Sequence, residues 1–295
     1  DLSHRMSSEP SELECAICFE SITASTILPC SCKVPYCETC WDKALARSFL
    51  DCGRSRCPTC RSAVRVDFDA ETLSLVFSKE SDDGVTGEAP ANMEEALRIQ
   101  AAHNEAINRL VAQAIPAQIR LLSNFGTQHE SLRTFAENPQ EQLSKLSAST
   151  LKQHITALGG SAEGCLEKSD LVQRVQEAAG SQQVLAGYWA ACSGESPACV
   201  CRSSLKRVTG LDRARHFCQR RVPDHPPGSR VFEEMLARIT RNGRTSVICD
   251  LCEEVVMLGS GVWTCENSDS TILHATQYDV CEKCFVRHAL GKEED

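Results

Sequence analysis

Apolar positions recur at helical spacing through the middle of the chain, and they partly alternate with polar ones in a stretch nearer its start. Val64, Val66 and Phe68, then Leu73, Leu75 and Phe77, follow the alternating pattern and predict a β-hairpin. Ser78 to Ala91 is polar, with Gly, Pro and acids, and reads as a linker. Asn92, with Glu95 three residues on, opens a helix as in a capping box. That helix is expected to run to about Ile115 and to break at Pro116. A second helix from about Ala117 carries Leu121, Leu122 and Phe125 on one side, and a further helical stretch holds Leu132 and Phe135 before Pro139. Residues 92–138 therefore read as a helical hairpin or spacer, with self-pairing into a homodimer as an open reading. Residues 143–179 read as a compact helix–turn–helix. Its first helix holds Leu151, Ile155 and Leu158, Gly159-Gly160 ends it, and a second helix from near Lys168 buries Leu171, Val172 and Val175.

Cysteine changes this picture. The 295 residues include 19 cysteines, gathered in bursts with Cys-x-x-Cys spacing and separated by long cysteine-free stretches. An odd count in close pairs points to metal thiolates in a reducing compartment rather than to a disulfide framework. The first burst is Cys15-x2-Cys18-x11-Cys30-x-Cys32-x4-Cys37-x2-Cys40-x16-Cys57-x2-Cys60. Zinc takes four soft ligands in a tetrahedron, and a Cys-x-x-Cys turn supplies two thiolates at once, so eight ligands imply two Zn2+ ions. A segment this short has too little apolar content to fold by burial alone, and metal binding would supply its folding free energy.

Residues 12–66 resemble the RING family on these eight ligands, on the aliphatic residue in Cys15-Ala-Ile-Cys18, on the proline in Cys57-Pro-Thr-Cys60, and on the arginine that follows. The resemblance implies interleaved sites, with Cys15, Cys18, Cys37 and Cys40 on one zinc and Cys30, Cys32, Cys57 and Cys60 on the other. It implies that Ile17 and Pro58 contact a ubiquitin-conjugating enzyme, and that Arg61 is the linchpin that hydrogen-bonds both that enzyme and ubiquitin. A RING ligase forms no covalent intermediate and gains its rate by orienting the charged enzyme. Cys32 stands where the family usually has His, and Trp41 follows Cys40 directly, which suits a core residue. Cys52 is a further thiol that can replace a neighbour in this assignment. A RING-between-RING ligase would need a nucleophilic cysteine in a later domain. About 100 cysteine-free residues follow Cys60, and no later burst has the ligand density of that arrangement.

The 143–179 segment resembles a SAP-type motif, and its Gly-Cys-Leu-Glu-Lys-Ser-Asp stretch is closer to the C-terminal domain of MANF-like proteins. SAP motifs are often linked to DNA, but only Lys145, Lys152 and Lys168 are nearby cations, so few phosphates would be neutralised. Residues 185–244 form a basic segment. Between Arg202 and Arg244 there are 11 Lys/Arg and 4 Asp/Glu, a local +7 in a chain of net charge -9. Cys192, Cys199, Cys201, His216 and Cys218 within it are candidate zinc ligands of unfamiliar spacing. Residues 245–290, with Cys249-Asp-Leu-Cys252 and Tyr278-Asp-Val-Cys281-Glu-Lys-Cys284-Phe285, resemble the ZZ-type zinc finger. That resemblance implies one closed site on Cys249, Cys252, Cys281 and Cys284. The second ZZ site is reduced to Cys265 with Ser268 in place of its partner, His288, and His274 in a long loop. ZZ fingers commonly recognise peptides through acidic residues, for which Asp250 and Asp279 are candidates.

The expected fold class is small zinc-stabilised α+β modules, RING-like and ZZ-like, joined by an all-α middle region. The expected function is ubiquitin ligation with Zn2+ as structural cofactor. A ubiquitin-conjugating enzyme, ubiquitin and a protein substrate are the partners, and nucleic acid is disfavoured. A non-catalytic zinc adaptor and a nucleic-acid-associated zinc protein are the alternatives. No apolar run approaches the roughly 18 residues of a membrane span and no signal peptide shows at the start, so an intracellular protein of the cytoplasm or nucleus is expected.

Overall fold

The computed structural model describes residues 13–22, 25–80, 92–267, 270–274 and 277–291. The chain divides into two compact units, residues 1–114 with 267–276, and residues 115–266 with 277–295.

In the first unit, β1 (Leu13–Glu14) and β2 (Ser21–Ile22) pair antiparallel around the turn that carries Cys15 and Cys18. Helix α1 (Glu38–Cys52) starts at Cys37 and ends where Gly53 adopts φ 71°, a left-handed cap that glycine reaches without a Cβ penalty. Its buried stripe is Trp41, Leu45, Ala46 and Phe49, the spacing of one helical face. The predicted hairpin is present as β3 (Val64–Asp69) and β4 (Ser74–Lys79), with Val66 opposite Phe77. Trp41 is fully buried, 5.5 Å from the ring of Tyr36 and edge-on to Phe77 at 6.0 Å, so it belongs to the core. A short 3-10 turn, Ile272–His274, docks on α1 through the Ile272 N–H, which donates to Asp42 at 2.7 Å.

Helix α2 runs from Met93 to Gln128. The break expected at Pro116 is absent, because the helix continues through it. Proline removes one backbone bond, but Leu110, Ala114, Ala117 and Leu122 are buried on either side of it, and that burial outweighs the loss. The side chain of Glu95, the expected capping partner of Asn92, lies outside the described residues. The early turns of α2 are tied to the hairpin. Gln113 accepts the Phe68 N–H at 2.8 Å, Arg109 pairs with Asp67 at 3.1 Å, and His103 stacks on Phe49 at 4.3 Å.

The second unit opens with helices α3 (Glu130–Glu137), α4 (Pro139–Lys145), α5 (Ala148–Ala157), α6 (Lys168–Ala179) and α7 (Gln182–Cys192). They enclose one core of Phe135, Leu143, Leu151, Ile155, Leu171, Val172, Val175, Ala179 and Leu185. Ser147 caps α5 by accepting the Thr150 N–H at 3.1 Å, and Asp170 caps α6 by accepting the N–H groups of Leu166 and Glu167, each at 2.9 Å. The remainder alternates short elements: β5 (Leu205–Thr209), α8 (Gly210–Arg221), α9 (Arg230–Ile239), β6 (Arg244–Ile248), β7 (Val255–Met257), β8 (Gly261–Cys265), β9 (Asp279–Cys281) and α10 (Glu282–Leu290). Strands β5, β8 and β9 form one antiparallel sheet in that order, and β6 and β7 another. Trp263 of β8 stacks on Phe285 of α10 at 4.3 Å. Among the described residues, no helix is long and apolar enough to cross a membrane.

Candidate metal centres

Two local devices present the cysteines. The first is a turn. The N–H groups of Cys15, Cys57 and Cys249 donate to the carbonyls five residues on, at Glu20, Ser62 and Glu254, at 2.9–3.0 Å. The N–H groups of Phe19, Arg61 and Glu253 donate back to those same three cysteines, each at 2.9 Å. Each turn closes only if the residue after its second cysteine is left-handed, and Phe19, Arg61 and Glu253 have φ between 60° and 62°. The second device is a helix start. Cys37 and Cys281 are the N-caps of α1 and α10, and their sulfurs accept the N–H groups of Cys40 and Cys284 at 3.4 Å. Both pairs thus sit at the positive end of a helix dipole, which favours thiolate over thiol.

These devices contribute to three four-cysteine clusters, Cys15/Cys18/Cys37/Cys40, Cys30/Cys32/Cys57/Cys60 and Cys249/Cys252/Cys281/Cys284, the second completed by the separate Cys30 and Cys32, with all sulfurs of each within 4.8 Å of one another. The first and third are built alike, from one turn and one helix start. The fit to a metal is visible in the donors aimed at sulfur. Cys37 N–H points at Cys15 at 3.4 Å, while Cys281 and Leu251 N–H groups point at Cys249 at 3.3 and 3.4 Å. Protons leave such clusters unequally. Burial pushes the Cys15 thiol up, but the backbone N–H groups of Cys18, Cys37 and Ile17 more than offset it and bring it down to about 6. Burial, then Cys37, holds Cys40 at about 12. The same split sets Cys249, lowered to about 2 by Cys281 and Cys284, against Cys281, raised to about 12 by Cys249. Negative charge from the first thiolate resists the next, and a divalent cation removes that resistance. A four-thiolate set of this kind suits Zn2+ in a closed structural site, where the metal would supply folding free energy.

Other residues singled out from the sequence are placed as follows. Ile17 is 43% exposed, and Pro58 and Arg61 are exposed. Cys52 is exposed on α1, its thiol donating to the Ser48 carbonyl at 3.0 Å, and joins none of the clusters among the described residues. Cys192, His216 and Cys218 do not gather with Cys199 and Cys201. Cys192 lies beside Tyr188, whose hydroxyl pKa is raised by burial and then by Cys192. His216 Nδ1 lies 2.9 Å from an Arg213 nitrogen, and Cys218 is buried with Ala214, Phe232 and Leu236. Cys199 and Cys201 are instead near Cys265, their sulfurs all within 4.8 Å. The spacing of residues 185–218 alone could not show this, because Cys201 and Cys265 are 64 positions apart. Asp279, a candidate for peptide recognition, is buried and bonded to Arg213, and Asp250 accepts the Asp279 N–H at 2.6 Å, so both brace the knuckles. Two cations of the basic segment are internal as well, since Arg207 pairs with the buried Glu282 and Arg213 with Asp279 at 2.7 Å. Ser268 lies outside the described residues.

A sequence model of the family described as ARMET, C-terminal matches residues 140–181, which hold α5 and α6. Part of the chain is similar to proteins of Arabidopsis thaliana described as probable E3 ubiquitin-protein ligases. It is 42% identical to ARI9 over 60 residues and 39% identical to ARI10 over 61. Each match covers 19% of this chain, and the chain spans only 11% and 12% of those relatives. No solved structure matches. These observations describe a chain whose cysteine clusters could hold metal ions among small α/β regions with helices between them, and which is similar over a short stretch to proteins described as probable ubiquitin ligases.

Proposed function

We propose that the chain is a RING-type ubiquitin ligase. Residues 12–66 hold two Zn2+ ions and dock a ubiquitin-charged conjugating enzyme through Ile17 and Pro58, and residues 245–290 serve to recruit a protein substrate. The substrate amine then attacks the thioester carbon, and the enzyme's thiolate leaves. The ligase contributes orientation, which is worth most when the donor is otherwise mobile. One observation carries this reading. Arg61 is the left-handed residue of the Cys57 turn, φ 62°, so the turn that presents two thiolates also sets the direction of an exposed guanidinium. A planar fork there can bridge enzyme and ubiquitin together. Relatives described as ubiquitin ligases support the same reading. The internal pairing of Arg207 and Arg213 removes cations that a nucleic-acid role would use. The test is single-turnover discharge of ubiquitin from a panel of charged conjugating enzymes to free lysine. Acceleration by the chain that is lost in Arg61→Ala supports the proposal. No acceleration with any enzyme would leave a zinc-stabilised adaptor.

A further inference from the structure

The turn at Cys199 is the fourth of its kind among the described residues. Its Cys-x-Cys spacing is one residue shorter than Cys-x-x-Cys, and every bond of the turn shifts by one position accordingly. Cys199 N–H donates to the carbonyl of Ser203 at 2.7 Å, and Arg202 N–H donates back to the Cys199 carbonyl at 2.8 Å. The residue after the second cysteine is again left-handed, with Arg202 at φ 67°. Of the six non-glycine residues with positive φ among those described, four follow the second cysteine of such a turn. Arginine has no intrinsic reason to adopt this conformation, and strain of this type persists where the surroundings require it.

The turn also aims its sulfurs at a third. Cys265 ends β8 opposite Leu205 of β5, and its sulfur lies 3.5 Å from that of Cys201. Cys199 and Cys265 are buried, at 0% and 3% exposure. Gln118 accepts the Val200 N–H at 3.1 Å and donates to the Ala198 carbonyl at 3.0 Å, which pins the turn from outside. Isolated buried cysteines act as small hydrophobes and need no such arrangement, as Cys218 does among Phe232 and Leu236.

We propose that Cys199, Cys201 and Cys265 bind an additional Zn2+ ion, independent of the three four-cysteine clusters. The consequence is architectural. The segment 197–204, upstream of the ZZ-like stretch, would be stapled by metal to the end of β8, so the C-terminal zinc module would start near Pro197 and not near residue 245. Structural zinc takes four ligands, and His274 and His288, the histidines that the ZZ resemblance marks, are the two to test for the fourth.

The experiment uses the full chain. Elemental analysis of zinc-loaded protein is expected to give four zinc ions per chain, and three in Cys201→Ser. A Cys201→Ser chain that does not fold would not decide the matter, so the wild-type chain is also loaded with cadmium-113 and its metal resonances counted. Four signals, one of them shifted away from three all-thiolate signals, are expected. That fourth signal should move or vanish in whichever of His274→Ala and His288→Ala removes the remaining ligand, and should stay in both if solvent completes the site. Three zinc ions and three cadmium signals in the wild-type chain would overturn the proposal. So would a Cys201→Ser chain that keeps four zinc ions.

Discussion

Arg213 closes a fork on Asp279, with Nε on one carboxylate oxygen at 2.7 Å and Nη2 on the other at 2.9 Å. Both side chains are nearly sealed from solvent, at 2% and 5% exposure. The pair ties α8 to β9 two residues before Cys281, and Asp279 is held a second time through its N–H on Asp250. Removing one partner strands a buried charge. Arg213→Ala should therefore destabilise the second unit by about 3–5 kcal/mol, and Arg213→Lys should restore only part of this because it lacks the fork. Denaturant unfolding followed by circular dichroism measures the change, and a midpoint equal to wild type would show the pair to be dispensable.

Gly126 tests packing against propensity. A Cβ built there would overlap the carbonyl oxygen of Ala289, a backbone atom that cannot swing aside. Helix propensity alone predicts that Gly126→Ala stabilises α2 by about 1 kcal/mol. The close approach to α10 predicts the opposite sign, a loss of about 1–3 kcal/mol or more. A thermal melt of the variant decides between them.

The helical core should be acid-sensitive through His154. Its ring lies 2.8 Å from the Tyr188 hydroxyl and near Trp189, and burial lowers its pKa from the ordinary 6.5. The unfolded chain then binds a proton that the folded one resists. Stability from this group is present above pH about 6.5 and is lost as pH falls below that value. His154→Gln should flatten that part of the stability profile between pH 7 and 5, and an unchanged slope would rule this histidine out as its source.

Cys281→Ser should cost one zinc ion and disorder the segment around Cys249 and Cys284, since these thiols share one cluster. Discharge of ubiquitin by residues 12–66 should survive, because those cysteines lie in a separate compact unit. Loss of discharge with intact N-terminal zinc would mean that the two units act as one catalyst.

Ile17→Ala and Arg61→Ala should fail differently. Neither is a ligand in any of the cysteine clusters, so zinc content should match wild type. Ile17→Ala should weaken conjugating-enzyme binding by about 1–2 kcal/mol, as for an interface anchor. Arg61→Ala should slow discharge more than it weakens binding, and Arg61→Lys should rescue little. Titration beside single-turnover discharge separates the two effects.

The features legible in the sequence are local. A Cys-x-x-Cys turn and a cysteine at a helix start close within about five residues, so their spacing announces them. The pairs at Cys15, Cys37, Cys57, Cys249 and Cys281 were legible for that reason, as were the β3–β4 hairpin and the helices flanking Gly159-Gly160. The features that emerge only from the fold are long-range. Pro116 inside a continuous helix depends on apolar residues buried on both sides of it. The partner of the Cys199 turn is Cys265 rather than Cys192 or Cys218, because the pairing of β5 with β8 carries a residue 64 positions away to the Cys201 sulfur. Arg213 reads in the sequence as one more cation of a basic segment, and it becomes internal only because α8 packs where β9 delivers a carboxylate. Spacing encodes which side chains a single turn can gather, and strand pairing and burial decide which distant ones join them.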